Sequence, residues 1–119
     1  KALCGLTRFI SNVNIPNSAL QIPNLPADAV VETNAVFSRD CIRPVYAGAI
    51  PEKVKALIMP HVENHERIYK AANTFDRSLV YEAFEKDPQF IGKSCSKEDI
   101  RKLVDDMIEN TKAYLPAGW

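Results

Sequence analysis

The stretch from Asn12 to Glu32 constrains this chain more than any other. It carries three prolines and four asparagines and no charged side chain before Asp28. Pro16, Pro23 and Pro26 each fix φ and push the residue before them toward extended geometry, so the segment reads as a stiff, non-helical loop. It leads into the β-branched pair Val30-Val31, which favours a strand. Neutral amides crowded between short apolar runs suit the wall of a site that reads hydroxyl groups. From the residues alone they suit better a rigid connector whose asparagines cap turns.

Before this loop, Arg8–Ile15 alternates well enough for a strand. After it, a second strand is expected over about Ala29–Phe37. Val31, Thr33, Ala35 and Phe37 form its more apolar face, and Val30, Glu32, Asn34 and Val36 form the other. Ile42–Ala47 makes a third extended segment. Pro44 cannot donate to a ladder, which places that segment at a sheet edge. From Pro51 the period becomes helical. Val54, Leu57, Ile58, His61, His65, Ile68 and Ala72 share one predicted inward stripe, and Pro60 predicts a kink or a restart at His61. Two more helices are expected. One runs over about Asp76–Lys86, with Leu79, Val80, Ala83 and Phe84 inward. The other runs from a Ser96 cap toward Tyr114, with Ile100, Leu103, Val104, Met107, Ile108 and Thr111 on its stripe. The fold class is therefore α+β: a small antiparallel or mixed sheet with its asparagine-rich loop (7–50), then three helices (51–115), within one domain spanning 1–119.

Fifteen basic and fifteen acidic residues leave no net charge, so nothing favours nucleic acid or an anionic membrane as partner. No apolar run approaches the roughly 20 residues of a membrane helix. Cys4, Cys41 and Cys95 are odd in number and widely spaced, which reads as free thiols in a reducing, cytoplasmic setting. Lys1–Leu6 reads as the last turns of a helix cut from upstream, as in an excised fragment.

Few side chains offer chemistry by spacing alone. His61 and His65 stand one helical turn apart, as zinc ligands can, but Val62 occupies the place where the metalloprotease pattern has glutamate. No third ligand has telling spacing, and packed or surface histidines are the commoner outcome. Glu32, Asp40, Glu63 and Glu66 show no pairing that would set two carboxylates at glycosidase separation. Tyr46, Tyr69, Tyr81 and Tyr114 lie beside no evident base and read as half-buried packing groups.

Asn14-Ile15-Pro16-Asn17, then Gln21-Ile22-Pro23-Asn24-Leu25-Pro26, then Asp28-Ala29-Val30-Val31-Glu32 resembles the C-terminal part of the NAD-dependent family 4 glycoside hydrolases. The likeness continues through Arg43-Pro44, Gly48-Ala49-Ile50-Pro51, Ala71-Ala72 and Asp87-Pro88. One departure is Ser18-Ala19-Leu20, where the family usually has a glycine soon after the second asparagine.

The resemblance implies an oxidation–elimination mechanism whose working parts lie elsewhere in the parent enzyme. There an N-terminal domain holds NAD, and a cysteine and a histidine hold a divalent metal, commonly manganese. No Gly-x-Gly-x-x-Gly motif occurs here, and Cys4 is not assigned as the metal cysteine. The chain alone is thus expected to bind no NAD and turn nothing over. Carried over residue by residue, Asn14, Asn17 and Gln21 are the expected substrate-proximal amides, with Arg43 a candidate partner for a sugar carboxylate or phosphate. The closing Met107–Pro116 stretch favours the α-galacturonidase or α-galactosidase-like branch. The implied partners are the NAD-binding domain, a sugar, and further copies of the chain through the helices after Pro51. The alternative is a free-standing oligomerisation or protein-interaction domain without catalysis.

Overall fold

The computed structural model describes residues 1–119, the whole chain, which divides into two compact units at 1–55 and 56–119. The division falls close to the change of period at Pro51.

The first unit is built on a three-stranded antiparallel sheet in the order β1 (Phe9–Pro16), β2 (Val30–Ser38), β3 (Cys41–Pro44). Pro44 lies on an edge strand, where its missing N–H breaks no central ladder. Cross-strand pairs Val13↔Thr33, Ile15↔Val31 and Ser11↔Ala35 share one face. On it Val31, Thr33 and Ala35 are buried, as the alternation predicts, together with Ala2, Leu25 and Ala29 elsewhere in the unit. The third strand is shorter than expected, because after Pro44 the chain makes single bonds instead of a ladder. Val45 N–H donates to the Asn34 carbonyl and Ala47 N–H to the Gln21 carbonyl.

The start of the chain carries the bonds of a helix C-terminus. Leu6 N–H reaches the Lys1 carbonyl and Gly5 N–H the Ala2 carbonyl. Gly5 takes φ +75°, completing the Schellman pattern. A side chain at Gly5 would also collide with the Arg39 stem.

The proline-rich segment is less uniform than its composition suggests. Its first residues, Asn12–Pro16, are the end of β1, and Asn17–Ala19 forms one 3₁₀ turn. Proline forbids the residue before it from being helical but leaves the residues after it free. The turn therefore begins directly after Pro16.

Helix α1 (Glu52–Thr74) starts in the last residues of the first unit and runs without interruption through Pro60. Proline removes only one backbone bond here, and long flanking helical turns carry the segment across it. The predicted inward stripe is wrong. Leu57 is 73% and Ile68 53% exposed, while Asn64 and Ala71 are buried. The reason is polar: Asn64 Nδ2 donates to the Ala83 carbonyl of α2 (Arg77–Glu85) at 2.9 Å, and its Oδ1 accepts from Arg67. An amide and a small residue thus outcompete the aliphatic stripe for the inner face.

Helix α2 is capped by Asp76, whose carboxylate accepts from Ser78 N–H. α3 (Lys97–Thr111) opens on the expected Ser96 cap, which forms a full capping box with Asp99. Ile100, Val104 and Ile108 are buried on α3, while Leu103 and Met107 are half exposed. A 3₁₀ turn (Lys112–Tyr114) follows. Trp119 then meets Phe75 edge-on at 6.1 Å between ring centres.

Candidate functional site

The loop between β1 and β2 is organised by one side chain. Asn17 is completely buried; its Nδ2 donates to the carbonyls of Ile22, Leu25 and Pro26, and its Oδ1 accepts from Ile22 N–H. Asn17 N–H also donates to the Ala29 carbonyl. One asparagine thus ties both arms of the loop together, satisfying carbonyls that the prolines leave without ladder partners. Both ends of its amide are engaged, and its complete burial leaves it out of a ligand's reach.

Asn24 works in the same way on the segment ahead of α1. It accepts from Ile50 N–H at 3.0 Å and donates to the Ile50 carbonyl at 2.8 Å, mimicking a paired strand.

Gln21 is buried at 2% exposure and only half satisfied. Its Nε2 donates to the Pro16 carbonyl, but its Oε1 has no donor. Leaving such an acceptor unpaired costs about 1–3 kcal/mol. Leu20, immediately before it, has φ +51° and ψ 41°, a left-handed conformation. For a non-glycine residue that geometry costs about 1–2 kcal/mol. The glycine-free Ser18-Ala19-Leu20 sequence therefore keeps a turn that suits glycine, at the expense of strain.

The outward face of the sheet holds the remaining candidates. Register places Ile10 with Val36, Asn12 with Asn34, Asn14 with Glu32, and Val36 with Arg43 on one side. Asn12, Asn14, Glu32, Asn34 and Arg43 are all exposed there. Asn12 Nδ2 donates to Glu32 Oε1 at 2.6 Å, which orients that carboxylate beside Asn14. Sequence reasoning missed Asn12, Glu32 and Asn34 as a set, although the period-two alternation already put Glu32 and Asn34 on one face.

Asn14 stands at the loop end of this face, and Arg43 does not join it. The partners of the two residues, Glu32 and Val36, are four residues apart on β2, roughly 13 Å along the strand. Arg43 instead neighbours Cys41. The Ser38 hydrogen bond holds the Cys41 thiol below its usual pKa against the opposing effect of burial, and the Arg43 charge adds a lesser push in the same direction as Ser38.

No three His, Cys, Asp or Glu side chains come together. His61 and His65 line a small cleft with Asn64, Ile68, Ala83, Phe84 and Asp87 in the second unit. No helix is long and apolar enough to cross a membrane.

Residues 1–90 match the family described as "Family 4 glycosyl hydrolase C-terminal domain". The whole chain is 63% identical to an α-galacturonidase of Lachnoclostridium phytofermentans, covering 25% of that protein. It is 44% identical over its full length to an α-galacturonidase of Thermoanaerobacterium saccharolyticum, covering 24% of it. Among solved structures, a 6-phospho-α-glucosidase from gut microorganisms, in complex with NAD and glucose-6-phosphate, superposes with a TM-score of 0.84. The sequence identity there is 31%, over 96% of this chain and 25% of that one. A second 6-phospho-α-glucosidase structure from gut microorganisms, with NAD and Mn2+, gives a TM-score of 0.76 at 26% identity, over 92% of this chain and 24% of that one. The chain spans about a quarter of the length of the curated relatives it matches.

Proposed function

The chain belongs to the family 4 glycosyl hydrolases as part of their C-terminal domain, and from this we propose that it borders the sugar pocket of an α-galacturonidase. The observation that carries the reading is the full-length 63% identity to a protein of that activity. The asparagine-rich loop and the amide-bearing sheet face supply a surface that could serve it. On this reading the parent enzyme uses NAD and a divalent metal, manganese for preference, as the names of the solved relatives suggest. Both groups are, on this reading, held mainly by the rest of the parent. The isolated chain is accordingly expected to turn nothing over, which an assay of it with NAD and manganese checks.

The chain's own residues then divide by role. Asn14 is exposed at the loop end of the sheet, and its amide can donate to one sugar hydroxyl while accepting from another. Glu32, oriented by Asn12, stands beside it. Asn17 is a positioning residue: it fixes the loop and touches no substrate. Gln21 Oε1 is the one buried acceptor of the loop still lacking a donor. Arg43 lies too far from Asn14 to share a sugar ring with it. Its guanidinium, which forms no ion pair in the chain, suits a carboxylate on a more distant part of the substrate.

Self-association belongs to the same proposal. The outward stripe of α1, with Leu57 and Ile68 more than half exposed, is an apolar surface without a partner in the second unit. Three free thiols fit a cytoplasmic enzyme.

Steady-state kinetics of the full-length protein on chromogenic α-galacturonide and α-galactoside, with NAD and manganese, test the reading. Turnover of the galacturonide is expected. Turnover of neither sugar would favour a free-standing interaction domain.

A further inference from the structure

The inner face of the sheet is covered toward one end and open at the other. Val31, Thr33 and Ala35 are buried along it. The cross-strand pair Phe9↔Phe37 continues the same parity, with ring centres 5.4 Å apart. Yet Phe9 is 51% exposed, and Leu3 and Leu6 are more exposed still. A groove of about 620 Å³ lies at this end, walled by Lys1–Cys4, Thr7, Phe9 and Phe37 and almost wholly apolar.

The backbone beside the groove indicates its occupant. Lys1–Leu6 makes both bonds of a Schellman motif, with Gly5 at φ +75°. That motif closes a helix, and the amides of Lys1–Cys4 in such a helix donate to carbonyls four residues earlier. Those carbonyls lie before Lys1, in the relatives' terms within the part that precedes this C-terminal domain. The residue after the motif's glycine packs on the third residue from the helix end or on the one before it. Lys1 holds the former place and is charged, which leaves Leu6 to the residue immediately upstream of Lys1. Ala2 is buried and marks the inward side, which the third and sixth residues upstream of Lys1 share. We propose that the residues preceding Lys1 in the parent form an amphipathic helix whose apolar side seats in this groove. It closes the inner face of the sheet over Phe9 and Phe37. So apolar a wall offers a sugar's hydroxyls little to bond, and a second copy would compete with a segment tethered at Lys1. The inference uses the family membership and not the sugar assignment.

The test uses the full-length protein. Hydrogen exchange is first read, without any substitution, at the Lys1, Ala2, Leu3 and Cys4 amides. Exchange about a hundredfold slower than in an unstructured peptide is expected, and exchange at the unstructured rate overturns the inference. Alkylation then identifies what fills the groove. In a Phe9→Cys variant, position 9 should react with iodoacetamide about tenfold more slowly than Cys95, which is exposed. Equal rates overturn the inference. Glutamate placed at the first and third residues upstream of Lys1 should restore fast reaction at position 9. Protection that survives both glutamates assigns the groove to another part of the parent, and protection lost on dilution assigns it to a second copy. Either result overturns the inference.

Discussion

Asn17 shows how one side chain can decide a loop. The Asn-Ile-Pro-Asn motif draws attention to its amides from sequence, but which amide faces outward depends on parity and on the turn after Pro16. Asn14 lies on the outward parity of β1 and is exposed; Asn17 falls at the turn and is consumed by it. Amide composition was therefore legible, whereas the separation of contact from scaffold was not. Replacing Asn17 with alanine leaves Ile22 N–H and the Leu25 carbonyl without their partner and removes one of two donors from the Ile22 and Pro26 carbonyls, and should destabilise the first unit by roughly 1–3 kcal/mol. Urea unfolding of the full-length protein, followed by hydrogen exchange at Ile22, checks this. Turnover should fall with it while NAD affinity is kept, because the loss acts through loop geometry.

Among the elements, strands were easier to read than the first helix. Period-two alternation in Val30–Phe37 has one consistent solution, and the sheet adopts it. Helix α1 offered two competing stripes, an aliphatic one and one containing Asn64 and Ala71. Hydrophobic periodicity favours the former, but the bonds of Asn64 to Ala83 and Arg67 select the latter. Asn64→Leu should therefore destabilise the second unit by about 1–3 kcal/mol despite added apolar surface, since it strands the Ala83 carbonyl. A thermal melt measures it.

The helical caps and pairs also set a pH dependence. Ser78 beside Asp76, Lys86 beside Glu82, Arg101 beside Glu85 and Ser96 beside Asp99 each hold a carboxyl below its ordinary value. The charged forms are favoured by folding, so their contribution is complete above about pH 5 and is lost as the pH falls through the lowered values. Melting temperature should thus be insensitive to these groups from pH 6 to 8 and decline below about pH 4. Tyr81 runs the other way. Its hydroxyl donates to Asp105, which raises its pKa, so that contribution is present at neutral pH and lost only in strong alkali.

At the scale of the whole molecule, balanced charge and a modest length excluded partners but identified none. The resemblance in Asn14–Glu32 supplied the family, and the comparison over the full chain supports it. The proposed self-association assigns the contact to the exposed stripe of α1 that carries Leu57 and Ile68. Leu57→Glu with Ile68→Glu should shift it toward a smaller species in sedimentation, and an unchanged distribution would remove that stripe from the interface.

The central claim is that the loop end of the sheet borders a galacturonide. The most direct test is kcat/KM of the full-length enzyme on α-galacturonide, with NAD and manganese, before and after Asn14→Ala. Loss of a hydroxyl partner should lower it about tenfold with NAD affinity unchanged. An Asn14→Ala enzyme with the parent's kcat/KM would contradict the account.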